Sequence, residues 1–451
     1  MKIHRRTNTT GAGATKKGSP AASIVAATTA TTAVTPLTTP PPSPPYAMLK
    51  KMVVRTAVAF FMMSTSLTYI NYQQHLGWCT IIVALQIFVF RELVNLRYTE
   101  AREKEIPLFR TLQWLWFAGA MIWCYTRSWL KAPMGFFPFV EYLKQNTRNS
   151  KYVTDEWAML DLINFSLYTV IFMTTVLSFR IGGGKRKNEM TKEMINLRFS
   201  YQLKQLSWTL LTLGFVVVQM KCAVYTAHAG LIWSIFPASM IMMNDTSAYF
   251  CGVAFGKKII PYKFFPYLSP KKTWEGFIGG GICTLLYAYF AVKYWAMIPL
   301  ARCSYPEIKA VQMAGGPGVA SLTELGSCKN DFMFESDTQL FLSASRIQLI
   351  AMGLGLFAST VAPFGGFAAS ATKRAFNIKD FDSVLPGHGG FTDRMDCQFV
   401  MGMAAWIAYT TFVQTAELEV PVGRLISAAQ LLNGEDQQLL LDALQSMVLK
   451  K

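Results

Sequence analysis

Residues 56–92 read TAVAFFMMSTSLTYINYQQHLGWCTIIVALQIFVFRE. No Lys, Arg, Asp or Glu interrupts the run before Arg91. An α-helix needs about 20 apolar residues to cross a hydrocarbon core, and this stretch is too long for one crossing. The polar turn Asn71-Tyr72-Gln73-Gln74-His75 divides it, so the segment predicts two spans. A chain that begins this way is built for a bilayer.

Further runs predict spans at 112–128, 162–179, 205–225, 229–247, 276–298, 347–369 and 397–416. The last three are bounded by Glu275 and Lys293, Arg346 and Lys373, and Asp396 and Glu417. The fold class is all-α, a polytopic integral membrane protein with about nine transmembrane helices. Composition agrees: 52% of residues are hydrophobic and 15% charged, against about 25% charged in soluble domains. A soluble globular enzyme is excluded. No internal repeat is evident, which weighs against the repeat-built transporters.

Residues 1–46 form a Thr/Ala/Pro-rich basic tail that buries too little apolar surface to fold. Its acid-free start with Arg5 and Arg6 also fits an organelle transit peptide. Residues 47–416 form the transmembrane catalytic domain, and 417–451 a C-terminal tail in which Gln437 to Leu449 reads as an amphipathic helix for the membrane surface. The net charge is +17, and nine positive charges precede Glu92, the first acid. That asymmetry suits membrane orientation and anionic lipid, and no nucleic-acid partner is expected.

With the basic N-terminus inside, the loop 180–204 and the segments Lys257 to Lys272 and Lys373 to Asp396 all fall on the cytosolic side. The loop 301–345 falls outside, where Glu307, Glu324, Asp331, Glu335 and Asp337 outnumber Arg302, Lys309 and Lys329. Cys303 and Cys328 in that loop pair if it meets an oxidising lumen, or remain thiols. The eight cysteines include no CxxC and there are four histidines, so a zinc site is not expected.

Polar groups at the membrane edge are costly and therefore mark function. Three clusters qualify, all on the cytosolic side. The first is Asn244-Asp245-Thr246-Ser247-Ala248-Tyr249, able to ligate a hard cation or simply to end a helix. The second is Ser269-Pro270-Lys271-Lys272-Thr273-Trp274-Glu275-Gly276. Ser269 before Pro270 has the pattern of an N-cap with proline at the first helical position, and two lysines there attract phosphate or merely obey the loop charge rule. Glu275 fits the first turn of a helix.

The third cluster runs from Pro363-Phe364-Gly365-Gly366-Phe367 through Ser370, Lys373, Arg374, Lys379 and Asp380 to Pro386-Gly387-His388-Gly389-Gly390-Phe391-Thr392-Asp393-Arg394-Met395-Asp396. Asp393 and Asp396 lie three apart, so a helix starting here sets both on one face to bind cations. The glycines offer backbone N–H groups and the cations meet phosphate oxygens. His388 is either a base or a turn residue. The residues alone read as a magnesium and phosphate site in a membrane.

The spacing Ser370-x2-Lys373-Arg374-x4-Lys379-Asp380-x5-Pro386-Gly387-His388-Gly389-Gly390-x2-Asp393-Arg394-x-Asp396 resembles the signature of the phosphatidate cytidylyltransferases, or CDP-diacylglycerol synthases. Ser269 to Gly276 with Gly279-Gly280, Asn244-Asp245 with Ala248-Tyr249, and Pro363 to Phe367 resemble other motifs of its eukaryotic branch. The likeness runs from about residue 50 to the C-terminus. It implies that CTP and phosphatidate give CDP-diacylglycerol and pyrophosphate with Mg2+, in the endoplasmic reticulum membrane and facing the cytosol.

On that implication Asp393, Asp396 and Asp245 hold the metal. Lys271 and Lys272 steady pyrophosphate, and Lys373, Arg374, Lys379 and Arg394 offset the remaining charge. Ser269, Asn244, Ser370, Asp380, Gly387, His388, Gly389 and Gly390 bind substrate, with no strong general base needed. Membrane lipid is a partner and a homodimer is compatible. The rivals are a CTP-dependent polyprenol or dolichol kinase, a transporter, and a membrane scaffold.

Overall fold

The computed structural model describes residues 45–103, 108–131, 156–180, 192–266, 268–308, 333–334, 344–384 and 389–414, with single helical positions between 434 and 445. The chain divides into two units, Met1–Lys50 and Lys51–Lys451. Cys328, Gly387, His388, the Lys271 side chain and most of the expected C-terminal helix lie outside the described residues.

Helix α1 (Pro45–Glu103) breaks at Gln74, where φ is 55° and ψ is −132°. This is the polar turn the sequence marks. A methyl group on Gly77 would stand 3.0 Å from the Tyr69 carbonyl oxygen, although eight residues of straight helix rise about 12 Å. The chain therefore folds back at Gln74. α2 (Phe109–Lys131), α3 (Glu156–Arg180) and α4 (Lys192–Leu213) follow. A π-helical turn, Gly214–Gln219, leads into α5 (Met220–Ala229). Its irregular ladder is supported by buried Gln86, whose Nε2 donates to the Val216 carbonyl at 2.9 Å.

α6 (Ile232–Phe255) and α7 (Trp274–Ala296) pack closely because their contact residues are small. A methyl on Gly280 would meet the Ala248 Cβ at 2.8 Å, and one on Gly279 would meet the Cys251 Cβ at 2.8 Å. Such small surfaces are how membrane helices approach one another. Between them lies the departure from an all-α chain, the antiparallel pair β1 (Lys263–Phe265) and β2 (Ser269–Thr273). Ser269 is therefore not a helix cap. Thr273 takes that place, its Oγ1 accepting from the Gly276 N–H at 3.2 Å. The proline-first pattern lost to strand pairing, which a two-residue signal cannot foresee.

The short α8 (Pro299–Arg302) precedes Cys303, which is disulfide-bonded. α9 (Arg346–Thr360), α10 (Pro363–Ala375) and α11 (Thr392–Ala408) complete the bundle, the last extended by a π-helical turn, Tyr409–Gln414. Two apolar cores flank α11. Phe391, Met395 and Phe399 pack with α1, α2 and the α4–α5 segment, whereas Cys397 and Met401 join α6, α7 and α9. Each set repeats every four residues, so α11 serves both cores from two faces.

Among the described residues, five stretches are long and apolar enough to cross a membrane: Thr56–Tyr98, Met159–Phe179, Ile195–Ala229, Trp274–Ala296 and Arg346–Ala375. The expected spans 112–128, 229–247 and 397–416 fall on α2, α6 and α11, which are not among those five. Leu162, Phe165, Val170, Met173 and Leu177 of α3 are each more than half exposed. Water would penalise that face and lipid does not. The protein is an integral membrane protein.

Candidate active site

Asp245 rides on α6, Lys272 on β2, Lys373 near the end of α10, and Asp393 with Asp396 on the first turns of α11. α10 meets α11 through its glycines. A methyl on Gly365 would overlap the Asp396 carbonyl oxygen, and one on Gly366 would stand 3.4 Å from Asp396 Oδ2. Absence of side chains at 365 and 366 is what lets the two helices close on each other around the carboxylate.

Asp393 is fully engaged. Its Oδ1 pairs with Lys373 Nζ at 2.7 Å, and its Oδ2 accepts from the Phe381 N–H at 3.0 Å and the Gly390 N–H at 3.2 Å. The carboxylate thus fastens the loop after α10 to the head of α11. Gly389 has φ +82°, a left-handed position that suits glycine. A methyl there would stand 3.2 Å from Asp393 Oδ2.

Asp396 faces a different way. Its Oδ1 accepts the Cys397 N–H at 2.8 Å, and it lies just before the expected span that starts at residue 397. Burial pushes its pKa up to about 6, and the charge of Asp245 raises it further while the Cys397 N–H and Lys373 oppose the rise. Lys272 and Arg394 act on Asp245. Two carboxylates that repel each other in a partly dry setting favour a divalent cation between them. No group of three or more His, Cys, Asp or Glu able to grip a metal occurs among the described residues. Magnesium does not need one, because one or two carboxylates plus substrate phosphates complete its shell. The Asp245–Asp396 pair fits that ion.

The other predicted residues sort clearly. Asn244 is buried and its Oδ1 accepts from Thr284 Oγ1 at 3.3 Å, so it joins α6 to α7. Ser370 Oγ donates to the Gly366 carbonyl at 2.8 Å within α10. Ser269 sits in β2 opposite Phe265. Lys272 Nζ lies 4.7 Å over the Phe367 ring. Arg374, Lys379, Asp380 and Arg394 are exposed, and the cations Arg374 and Lys379 can meet phosphate oxygens.

Two carboxylates escaped their proper weight in the sequence. Glu275 accepts the Ile260 N–H at 2.9 Å and the Ile259 N–H at 3.1 Å, holding the turn after α6. Glu92 is 1% exposed and accepts the Phe391 N–H at 2.7 Å and the Thr392 N–H at 2.8 Å. A buried acid closing an apolar run was the signal available for Glu92.

Comparison with known proteins adds to this geometry. The model of the Cytidylyltransferase family matches residues 53–412. "Probable phosphatidate cytidylyltransferase" of Dictyostelium discoideum is 35% identical over 384 residues, covering 82% of this chain and 72% of that protein. "Phosphatidate cytidylyltransferase 3" of Arabidopsis thaliana is 33% identical over 410 residues, covering 89% and 79%. "Phosphatidate cytidylyltransferase" of Saccharomyces cerevisiae is 30% identical over 411 residues, covering 88% and 80%.

Proposed function

The chain belongs to the cytidylyltransferase family, and from that premise we propose that it is a phosphatidate cytidylyltransferase, converting CTP and phosphatidate to CDP-diacylglycerol and pyrophosphate. The observation that carries the reading is the Asp245–Asp396 pair set among Lys272, Lys373 and Arg394. A phosphate oxygen of phosphatidate bonds to the α-phosphorus of CTP as the bond to the β-phosphate oxygen breaks and pyrophosphate leaves. Both reactants are anions, so the site must first overcome their repulsion.

Asp245, Asp393 and Asp396 would hold Mg2+. Bound there, the metal supplies Lewis-acid stabilisation of the reacting phosphates. Lys271 and Lys272 steady the pyrophosphate, while Lys373, Arg374, Lys379 and Arg394 receive the remaining phosphate charge. Phosphatidate is ionised near neutral pH, so its oxygen attacks without a strong base. Every group named comes from one chain, so a homodimer would leave the site's composition unchanged.

The lipid reaches the site sideways from the bilayer, because each methylene lifted into water costs about 0.8 kcal/mol. Nine crossings, with the site facing the cytosol of the endoplasmic reticulum, complete the reading. The basic segments around the site support that orientation. So does the disulfide-bonded Cys303 in the loop expected on the opposite side, since disulfides persist in oxidising compartments.

Radiolabelled CTP and phosphatidate, supplied to detergent-purified protein with and without magnesium, test the proposal. Lipid labelling matched one-to-one by pyrophosphate release is expected. Release of CDP with a phosphorylated lipid would overturn it in favour of a kinase.

A further inference from the structure

We propose that Glu92 is a positioning residue for the reaction: from α1 it fixes the first turn of α11 and closes that helix terminus to phosphate. The inference rests on the proposed cytidylyltransferase reading. The opening N–H groups of a helix lack partners within it and attract anions. No side chain of α11 caps its own start, and Phe391 at the cap position is itself helical in φ and ψ. The two amides there instead donate to Glu92, 299 and 300 residues distant in sequence.

The rest of the interface is shaped around this carboxylate. Phe88, one turn earlier on α1, stacks on Phe391 with ring centroids 4.8 Å apart and planes 14° apart. Residues four apart on a helix share a face, so Phe88 and Glu92 grip the same point from one side. A methyl on Gly390 would stand 2.7 Å from Glu92 Oε2 and 2.9 Å from Oε1. The glycine therefore makes room for the acid.

Two consequences follow. Asp393 and Asp396 inherit their positions from a turn whose backbone is held by Glu92. The helix terminus, already occupied by a carboxylate, does not compete for CTP, so its phosphates are left to the lysines and arginines and to the metal pair. Glu92 touches no reacting atom and acts through α11.

The test uses the full-length protein in detergent. Glu92→Gln keeps the shape and the Phe88–Phe391 stack but turns an amide donor toward an amide N–H. It should lower kcat about 30- to 100-fold, as a displacement of order 1 Å does, while KM for CTP stays within about threefold of wild type. Amide exchange at Phe391 and Thr392 should accelerate about tenfold or more without a matching change in α6 or α7. Gly390→Ala, which crowds the carboxylate without removing it and also presses the Asp382 backbone nitrogen, should reproduce both effects.

Unchanged exchange at 391 and 392 in Glu92→Gln, or wild-type kcat per folded molecule in both single variants, overturns the proposal. The exchange arm needs no turnover. A wild-type protein that makes no CDP-diacylglycerol, yet shows accelerated exchange in Glu92→Gln, refutes the assigned reaction and leaves the cap supported.

Discussion

Replacing Asp396 with Asn should make the metal-free protein more stable and the enzyme inactive. Desolvation pushes this half-buried carboxyl up to about 6 from an ordinary 3.8. At about 1.4 kcal/mol per pH unit that rise corresponds to about 3 kcal/mol spent on keeping the group ionised above pH 6. The folded state binds this proton more tightly than the unfolded chain. Wild type without metal therefore loses stability as pH rises from about 4 to about 6, and the deficit is complete above that. Asn keeps an oxygen for the Cys397 N–H and carries no charge, so it removes the pH slope. Thermal unfolding in detergent with EDTA at pH 7.5 should show Asp396→Asn melting a few degrees above wild type, with the difference shrinking at pH 5. Added magnesium should raise the wild-type melting temperature and leave the variant nearly unmoved. CTP incorporation into lipid should disappear. A variant that melts below wild type in EDTA at pH 7.5, or gains as much from magnesium, refutes the view that this carboxylate is held ready for a cation.

Lys373→Met should cost about 3 to 5 kcal/mol, because it strands the buried Asp393 carboxylate, whereas exposed Lys379→Met should leave the melting temperature nearly unchanged; paired melts compare them directly. Gly280→Val should lower folded yield and stability by about 1 to 3 kcal/mol or more through overpacking against Ala248, with size-exclusion profile and residual activity as the measurements. Gln86→Leu should destabilise by about 1 to 3 kcal/mol by removing the buried amide that donates to the π-helical carbonyl of Val216, which a melt shows without any assay of turnover.

Much of the architecture was legible because membrane helices are written locally. A run of apolar residues ending in charge states its own length, and Asn71 to His75 announced the turn that the chain makes at Gln74. The motif residues could be listed because costly polar groups stand out against an apolar background. Their division of labour could not. Asp393 and Asp396 look equivalent three residues apart, yet one is fastened to Lys373 and two loop amides and the other accepts the Cys397 N–H and feels the charge of Asp245. Asn244 resembles a ligand beside Asp245, yet its amide is committed to Thr284.

Sequence by itself determined that the chain is helical, membrane-embedded and a cytidylyltransferase by family, since hydropathy, charge placement and a long signature all reside in neighbouring residues. Tertiary structure alone decided that α11 is shared between two cores, that Ser269 to Thr273 pairs as a strand, and that Glu92 accepts the opening amides of the helix bearing Asp393 and Asp396. Those outcomes depend on which surfaces meet after folding. A contact across 299 residues leaves no periodicity to read, because packing assigns the partner after each segment has already chosen its local form.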